Sequence, residues 1–252
     1  MKRLLVLATG GTIAGAGADA TQINHYDAGA FGVDALLKAV PAVQSLAQLQ
    51  LEQIANVDSA DLQFSHWCRL VERIRAAFAE DLELAGVVIT HGTNTLEETA
   101  WLLQLLIDDP RPVVLVGAMR PATALSADGP LNLYQAIKVA VSPEARSHGV
   151  LVVVDGQIHG AKAVTKIATQ GVSAFASPDS GPLGWVDDAG VHLATAQQGL
   201  PKPLAQIQLP NHWPRVAIVY GCVEPSADWI TALLEAGVQG LVFTGTGAGQ
   251  LS

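Results

Sequence analysis

Along this chain, apolar runs of strand length alternate with segments whose apolar positions recur every three to four residues. That alternation is the pattern of βαβ units around a mostly parallel sheet. Arg3–Leu7 predicts a first strand, Gly86–Thr90 a buried one, and Pro112–Val116 and Gly149–Val154 two more. Val33–Val40 reads as a short helix stopped by Pro41. A second helix, with Ser65 as its cap, sets Leu70, Val71, Ile74, Ala77 and Phe78 in one stripe. Thr95-Leu96-Glu97-Glu98 has the form of a capping box, with Glu98 as reciprocal partner, and opens a helix carrying Trp101, Leu102, Leu105 and Leu106. Pro130 suits the first turn of a helix running to about Val141.

Near residue 195 the composition shifts. Gln197–Pro203 and Pro210–Pro214 predict a semi-rigid linker over 195–214. Beyond it, Val216–Tyr220, a helix over Trp229–Glu235 stopped at Gly237, and Leu241–Thr244 begin a fresh βαβ unit. Two strands and one helix bury too little surface for a core of their own. The expected fold class is therefore α/β. A large N-terminal sheet domain covers residues 1–194, and residues 215–252 are the beginning of a smaller α/β domain.

Half of the 252 residues are hydrophobic and 15% are charged, which excludes disorder and leaves ample material for a core. The 14 Lys and Arg against 23 Asp and Glu leave a net charge of −9, which argues against nucleic acid or anionic lipid as a partner. Two cysteines, Cys68 and Cys222, supply no disulfide framework and read as small buried hydrophobes. The seven histidines show no metal-ligand spacing, so no metal is expected. No apolar run is long enough to span a membrane. Leu4–Ala8 is short for the apolar part of a signal peptide, so a cytoplasmic location is expected.

Open α/β sheets place their sites where strands run out into loops. Three polar clusters fall at such junctions. Thr9-Gly10-Gly11-Thr12-Ile13-Ala14-Gly15 follows the first strand and puts a hydroxyl at its carboxyl end. It lacks the G-x-G-x-x-G spacing that a dinucleotide site needs, because Thr12 stands where the second Gly belongs. Thr90-His91-Gly92-Thr93-Asn94-Thr95 follows the Gly86–Ile89 strand and gathers hydroxyls and an amide beside a helix N-terminus, a cradle for an anion or carboxylate. His91 reads as a hydrogen-bonded loop histidine rather than a base. The third cluster is Gly117-Ala118-Met119-Arg120-Pro121 with Ser126–Pro130, where Arg120 is expected to pair with Asp128. Lys166, shortly past a strand, could meet this group and help activate a Thr hydroxyl.

The first cluster, and His91-Gly92-Thr93-Asn94-Thr95-Leu96-Glu97-Glu98-Thr99-Ala100, resemble the two signature motifs of the bacterial-type L-asparaginases, the asparaginase/glutaminase family. Gly117–Pro121, Ser126–Leu133 and Ser177–Gly184 resemble further blocks of that family, in order, over nearly the whole chain. The resemblance implies an amidohydrolase that converts L-asparagine to L-aspartate and ammonia, with weaker glutaminase activity beside it and no cofactor. It implies Thr12 as nucleophile, Tyr26 on the following lid as its assistant, and Thr93 with Lys166 as a second pair. Ser59 would hold the substrate carboxylate, and Gly11, Asp58, Ala60, Gly92, Asn94 and the backbone at Ala118 would complete the substrate contacts. It also implies a homodimer or homotetramer.

Three departures from the family pattern matter. Asn94 stands where the family has an Asp that engages the substrate's amino group and tunes the Lys. The missing charge is expected to cut turnover severely, so the alternative is a weak or inactive relative that still binds asparagine or aspartate. Ala60 replaces a common Gln, leaving the preference between asparagine and glutamine open. The chain is also expected to end inside the smaller domain, with Ala248 in place of a common Asn.

Overall fold

The protein is described from a computed structural model, which covers residues 1–194, 204, 207, 209–210 and 212–250. Most of the linker predicted over 195–214 lies outside the described residues. The chain divides into two compact units, 1–207 and 208–252.

The larger unit begins with β1 (Arg3–Gly10), α1 (Val33–Lys38), β2 (Gln48–Val57), α2 (Phe64–Glu80) and β3 (Leu84–Thr90). It continues through α3 (Leu96–Leu106), β4 (Val113–Val116), α4 (Gly129–Ala140), β5 (Val150–Val154) and β6 (Gln157–Gly160). Four short strands follow, β7 (Thr165–Lys166), β8 (Phe175–Ala176), β9 (Gly184–Val186) and β10 (Val191–Leu193). One eight-stranded sheet has the order β10-β9-β6-β5-β4-β3-β1-β2. Strands β2, β1, β3, β4 and β5 run parallel, and β6, β9 and β10 are added antiparallel at one edge. The small β7–β8 ribbon stands apart from it.

The apolar runs become central strands because both faces of the sheet are covered. Leu4, Val6, Val88, Val114, Val116, Leu151 and Val153 face one layer with Leu36 and Leu37 of α1 and Leu133, Ala136 and Ile137 of α4. The alternate positions Leu5, Leu7, Val87, Ile89 and Leu115 point the other way and are equally buried, under α2 and α3. Each such side chain contributes about 1.5–3 kcal/mol by leaving water.

The predicted stripe of α2, Leu70, Val71, Ile74, Ala77 and Phe78, is its buried face. Its cap differs from the expectation: Ser65 lies inside the helix, and Gln63 caps it reciprocally with His66, whose Nδ1 accepts the Gln63 N–H at 2.9 Å. The capping box at α3 is also corrected. Thr95 occupies the cap position without a capping bond, because its hydroxyl donates instead to the Ser59 carbonyl at 2.8 Å. Glu98 is exposed and plays no capping part. Strand β2 went unread because its polar residues Gln48, Gln50, Glu52 and Gln53 break the apolar run, as an edge position permits.

In the smaller unit, β11 (Val216–Tyr220) and β12 (Gly240–Thr244) pair in parallel around α5 (Ala227–Glu235). None of the α5 residues is buried, and Trp229, Tyr220 and Phe243 are exposed. Cys222 is exposed and Cys68 half-buried, so neither is the buried hydrophobe expected: Cys222 sits in the loop after β11, not in a core.

Candidate active site

The strand order reverses at β1, since β1 leads outward to β2 on one side while the later strands β3, β4 and β5 succeed one another on the other. At such a switch point the loops leaving neighbouring strands diverge to opposite faces and open a crevice at the strands' carboxyl ends. The loops after β1, β2, β3 and β4 all end there, and they carry Gly11–Thr12, Asp58–Ser59, Gly92–Asn94 and Gly117–Ala118.

The loops touch at their glycines. A methyl group on Gly11 would lie 2.2 Å from Gly92 Cα, and one on Gly92 would lie 2.7 Å from Ser59 Oγ. A methyl on Gly117 would lie 3.0 Å from Thr93 Cγ2. The absence of side chains at these positions lets three main chains converge.

Thr12 opens a short 3₁₀ turn, buried to 6% exposure, and its Oγ1 shares a hydrogen bond of 2.7 Å with the Tyr26 hydroxyl. Tyr26 reaches it because residues 16–27 fold back on themselves. Ala16 and Asp27 exchange two N–H···O bonds of 3.0 Å, and the Tyr26 ring lies over Gly15, where a methyl would come within 2.8 Å of it.

A second cluster assembles around Lys166. Its ammonium donates to Thr93 Oγ1 at 2.8 Å and to Asn94 Oδ1 at 3.2 Å. Its backbone N–H donates to Glu97 Oε2 at 2.5 Å, which fixes the β7 strand against the start of α3. Burial pulls the Lys166 ammonium below its ordinary value, while the nearby charges of Asp58 and Glu97 push it back up. Asn94 Nδ2 donates in turn to Asp58 Oδ1 at 3.1 Å, and the same oxygen accepts the Ala60 N–H at 2.8 Å.

Ser59 is 2% exposed, and its Oγ accepts the N–H groups of Asn94 at 3.1 Å and Thr95 at 3.3 Å. It thereby takes two amides that would otherwise have stood open at the N-terminus of α3. With both lone pairs engaged, its remaining capacity is one proton to donate, which suits an incoming carboxylate.

His91 is fully buried and not a base. The Gly92 carbonyl accepts its Nδ1–H at 2.7 Å, which leaves Nε2 to accept the Thr99 hydroxyl at 2.9 Å. Desolvation holds this imidazole at about 4. Arg120 and Asp128 meet differently from the expectation: the Asp128 carboxylate accepts the backbone N–H groups of Met119 and Arg120, each at 2.9 Å. The Arg120 guanidinium turns away to the Ser126 carbonyl. Asp128 thus shapes the loop that carries buried Ala118.

Each implied residue therefore lies on one of the loops at the switch point or on the β7 strand held against them. Glu97, Thr99 and Asp128 were missed as positioning residues. All three lie inside the motif blocks, but a spacing argument gives Glu97 no partner sixty-nine positions away.

A hydroxyl pair and a Thr–Lys pair thus meet at the carboxyl ends of the strands of an α/β sheet, where folds of this class hold their sites. Among the described residues, no group of three potential metal ligands occurs. The family described as "Asparaginase, N-terminal" matches residues 3–198, and the chain belongs to this family of amidohydrolases. L-asparaginase 2 of Bacillus subtilis (strain 168) is 41% identical over all of this chain and 67% of its own length. A glutaminase-asparaginase of Pseudomonas fluorescens biotype A is 38% identical over all of this chain and 70% of its own length. The solved structure of a probable cytoplasmic L-asparaginase from Campylobacter jejuni superposes with a TM-score of 0.92 at 42% identity, over the whole chain and 77% of that one. No helix of the described residues is long and apolar enough to cross a membrane.

Proposed function

We propose that this protein hydrolyses L-asparagine to L-aspartate and ammonia, with L-glutamine as a weaker substrate. The observation that carries the reading is the 2.7 Å bond between Thr12 and Tyr26 at the switch point. A Thr hydroxyl is a weak nucleophile at neutral pH and needs a base in hydrogen-bond reach. Tyr26, or the Thr93–Lys166 pair through a proton shared with substrate or water, takes that proton as Thr12 Oγ1 bonds to the amide carbon. The Gly11 N–H is already given to the Val57 carbonyl at 2.9 Å. The Thr12 amide is then the donor in this turn for the developing oxyanion, a contribution of about 3 kcal/mol for one well-placed group. Ammonia leaves, and water cleaves the acyl-enzyme ester at Thr12. Ser59 holds the α-carboxylate, and the loop after β3 with Ala118 frames the side-chain amide.

Asn94 is neutral where an ammonium group must bind, so turnover is slow in this chain. That single residue also favours a second reading, a relative that binds asparagine or aspartate with little hydrolysis. Ammonia release from L-asparagine by the parent and by Asn94→Asp separates the two. A slow parent and a faster variant support the hydrolase. Silence from both, with aspartate binding retained, supports the binding protein.

From the family resemblance we further propose a homodimer or homotetramer, and from the short apolar start of the chain a cytoplasmic location. In the same way we assign the active site to residues 1–194 and a smaller α/β unit to residues 215–252.

A further inference from the structure

Asn94 is a neutral side chain with a charged neighbour on each side. Its Oδ1 accepts from the Lys166 ammonium at 3.2 Å, and its Nδ2 donates to Asp58 Oδ1 at 3.1 Å. Together the two bonds fix the amide's direction, since oxygen must face the ammonium and nitrogen the carboxylate. The Asp58 carboxylate thus lies one amide group beyond Lys166, on the far side of the residue that lacks a charge. The Ala60 N–H, bonded to the same oxygen at 2.8 Å, holds it there. Glu97 approaches Lys166 differently, through the backbone N–H, and leaves the ammonium to Thr93 and Asn94.

We infer that Asp58 carries the anionic charge of this site in place of position 94, acting through the Asn94 amide on Lys166 and on the ammonium group of an amino-acid substrate. Asp58 is a positioning residue in this role, and the inference rests on the asparaginase reading above. It has a consequence of sign. An aspartate at 94 would set two carboxylates at the separation now spanned by an N–H···O bond, where like charges oppose joint ionisation. The anion counts most at position 94, where it would meet both ammonium groups directly, and less at 58, where it acts through an amide. A second carboxylate opposes the first, and with neither the site is poorest.

Four proteins test this: the parent, Asp58→Asn, Asn94→Asp and the double variant. Asparagine at 58 keeps an oxygen to accept the Ala60 N–H, so the turn after β2 is retained. In the parent background Asp58→Asn should lower kcat/KM for L-asparagine about tenfold, chiefly through KM, as charge-assisted bonds become neutral ones. In the Asn94→Asp background the same change should raise kcat/KM, because it removes the like charge. A loss of equal size in both backgrounds, which a purely structural role for Asp58 would give, overturns the inference and leaves the asparaginase reading standing. Calorimetric binding of L-aspartate supplies the same comparison independently of turnover. A loss of affinity confined to the parent background supports the inference, and equal losses overturn it. Neither turnover nor aspartate binding in any of the four proteins removes the asparaginase reading and this inference with it.

Discussion

Substituting Gly11 by Ala perturbs the point where the loops after β1 and β3 meet. Gly11 has φ +80° and ψ −172°, a region essentially reserved for glycine. An added methyl would lie 2.2 Å from Gly92 Cα and 2.4 Å from Gly92 N, main-chain atoms that cannot rotate aside. Backbone strain of this kind costs about 1–3 kcal/mol. Overpacking against a fixed neighbour costs about 1–3 kcal/mol more. Gly11→Ala should therefore lose about 2–6 kcal/mol of unfolding free energy, from the same two sources. Gly171 provides a matched control, with φ +81° and nothing within 4 Å of an added methyl. Gly171→Ala carries the conformational cost alone, about 1–2 kcal/mol. Urea unfolding near neutral pH, with the slope checked for constancy, reads both changes. Equal losses at the two positions would refute the reasoning, because their backbone φ is matched and the space around them is not.

Tyr26→Phe removes the hydroxyl 2.7 Å from Thr12 Oγ1. Its kcat should fall by about 10²–10⁴-fold, the range for one positioned acid or base. Stability should shift by no more than about 1 kcal/mol, one ordinary hydrogen bond, so unchanged turnover in a folded variant would remove Tyr26 from the mechanism. Burial holds both His91 and His159 at about 4, against 6.5 for a solvated imidazole. Below pH 6.5 the unfolded chain therefore takes up protons that the folded chain refuses. Stability should be full above that pH and fall as pH drops toward 4, by up to about 3 kcal/mol for each histidine. Urea midpoints measured across this window check it, and a flat profile between pH 6.5 and 4.5 would contradict it.

Much of the fold was legible in the chain because burial on both faces writes continuous apolar runs into the central strands. Arg3–Leu7, Gly86–Thr90 and Gly149–Val154 could be read as strands for that reason, and the α2 stripe from Leu70 to Phe78 as a buried helix face. The polar edge strand β2 was not legible, because a strand with one open edge tolerates Gln and Glu at alternate positions. The cap assignment at Thr95 failed for a related reason. A side chain's hydrogen bond is local only when no better partner arrives from elsewhere, and at Thr95 the Ser59 carbonyl arrived from the end of β2.

The sequence by itself determined the residue types of the site, their order and their placement at strand ends, because glycines, hydroxyls and a lysine at those junctions are local choices. Pairing was decided by the tertiary structure alone. Thr12 meets Tyr26 because residues 16–27 close on themselves through Ala16 and Asp27. Lys166 meets Thr93, seventy-three positions away, because Glu97 holds its backbone against α3. Asp58 meets Asn94 because β2 and β3 flank β1 and their loops emerge at the same edge of the sheet. Such meetings depend on strand order and loop closure, which are properties of the whole chain's packing and leave no periodic mark along it.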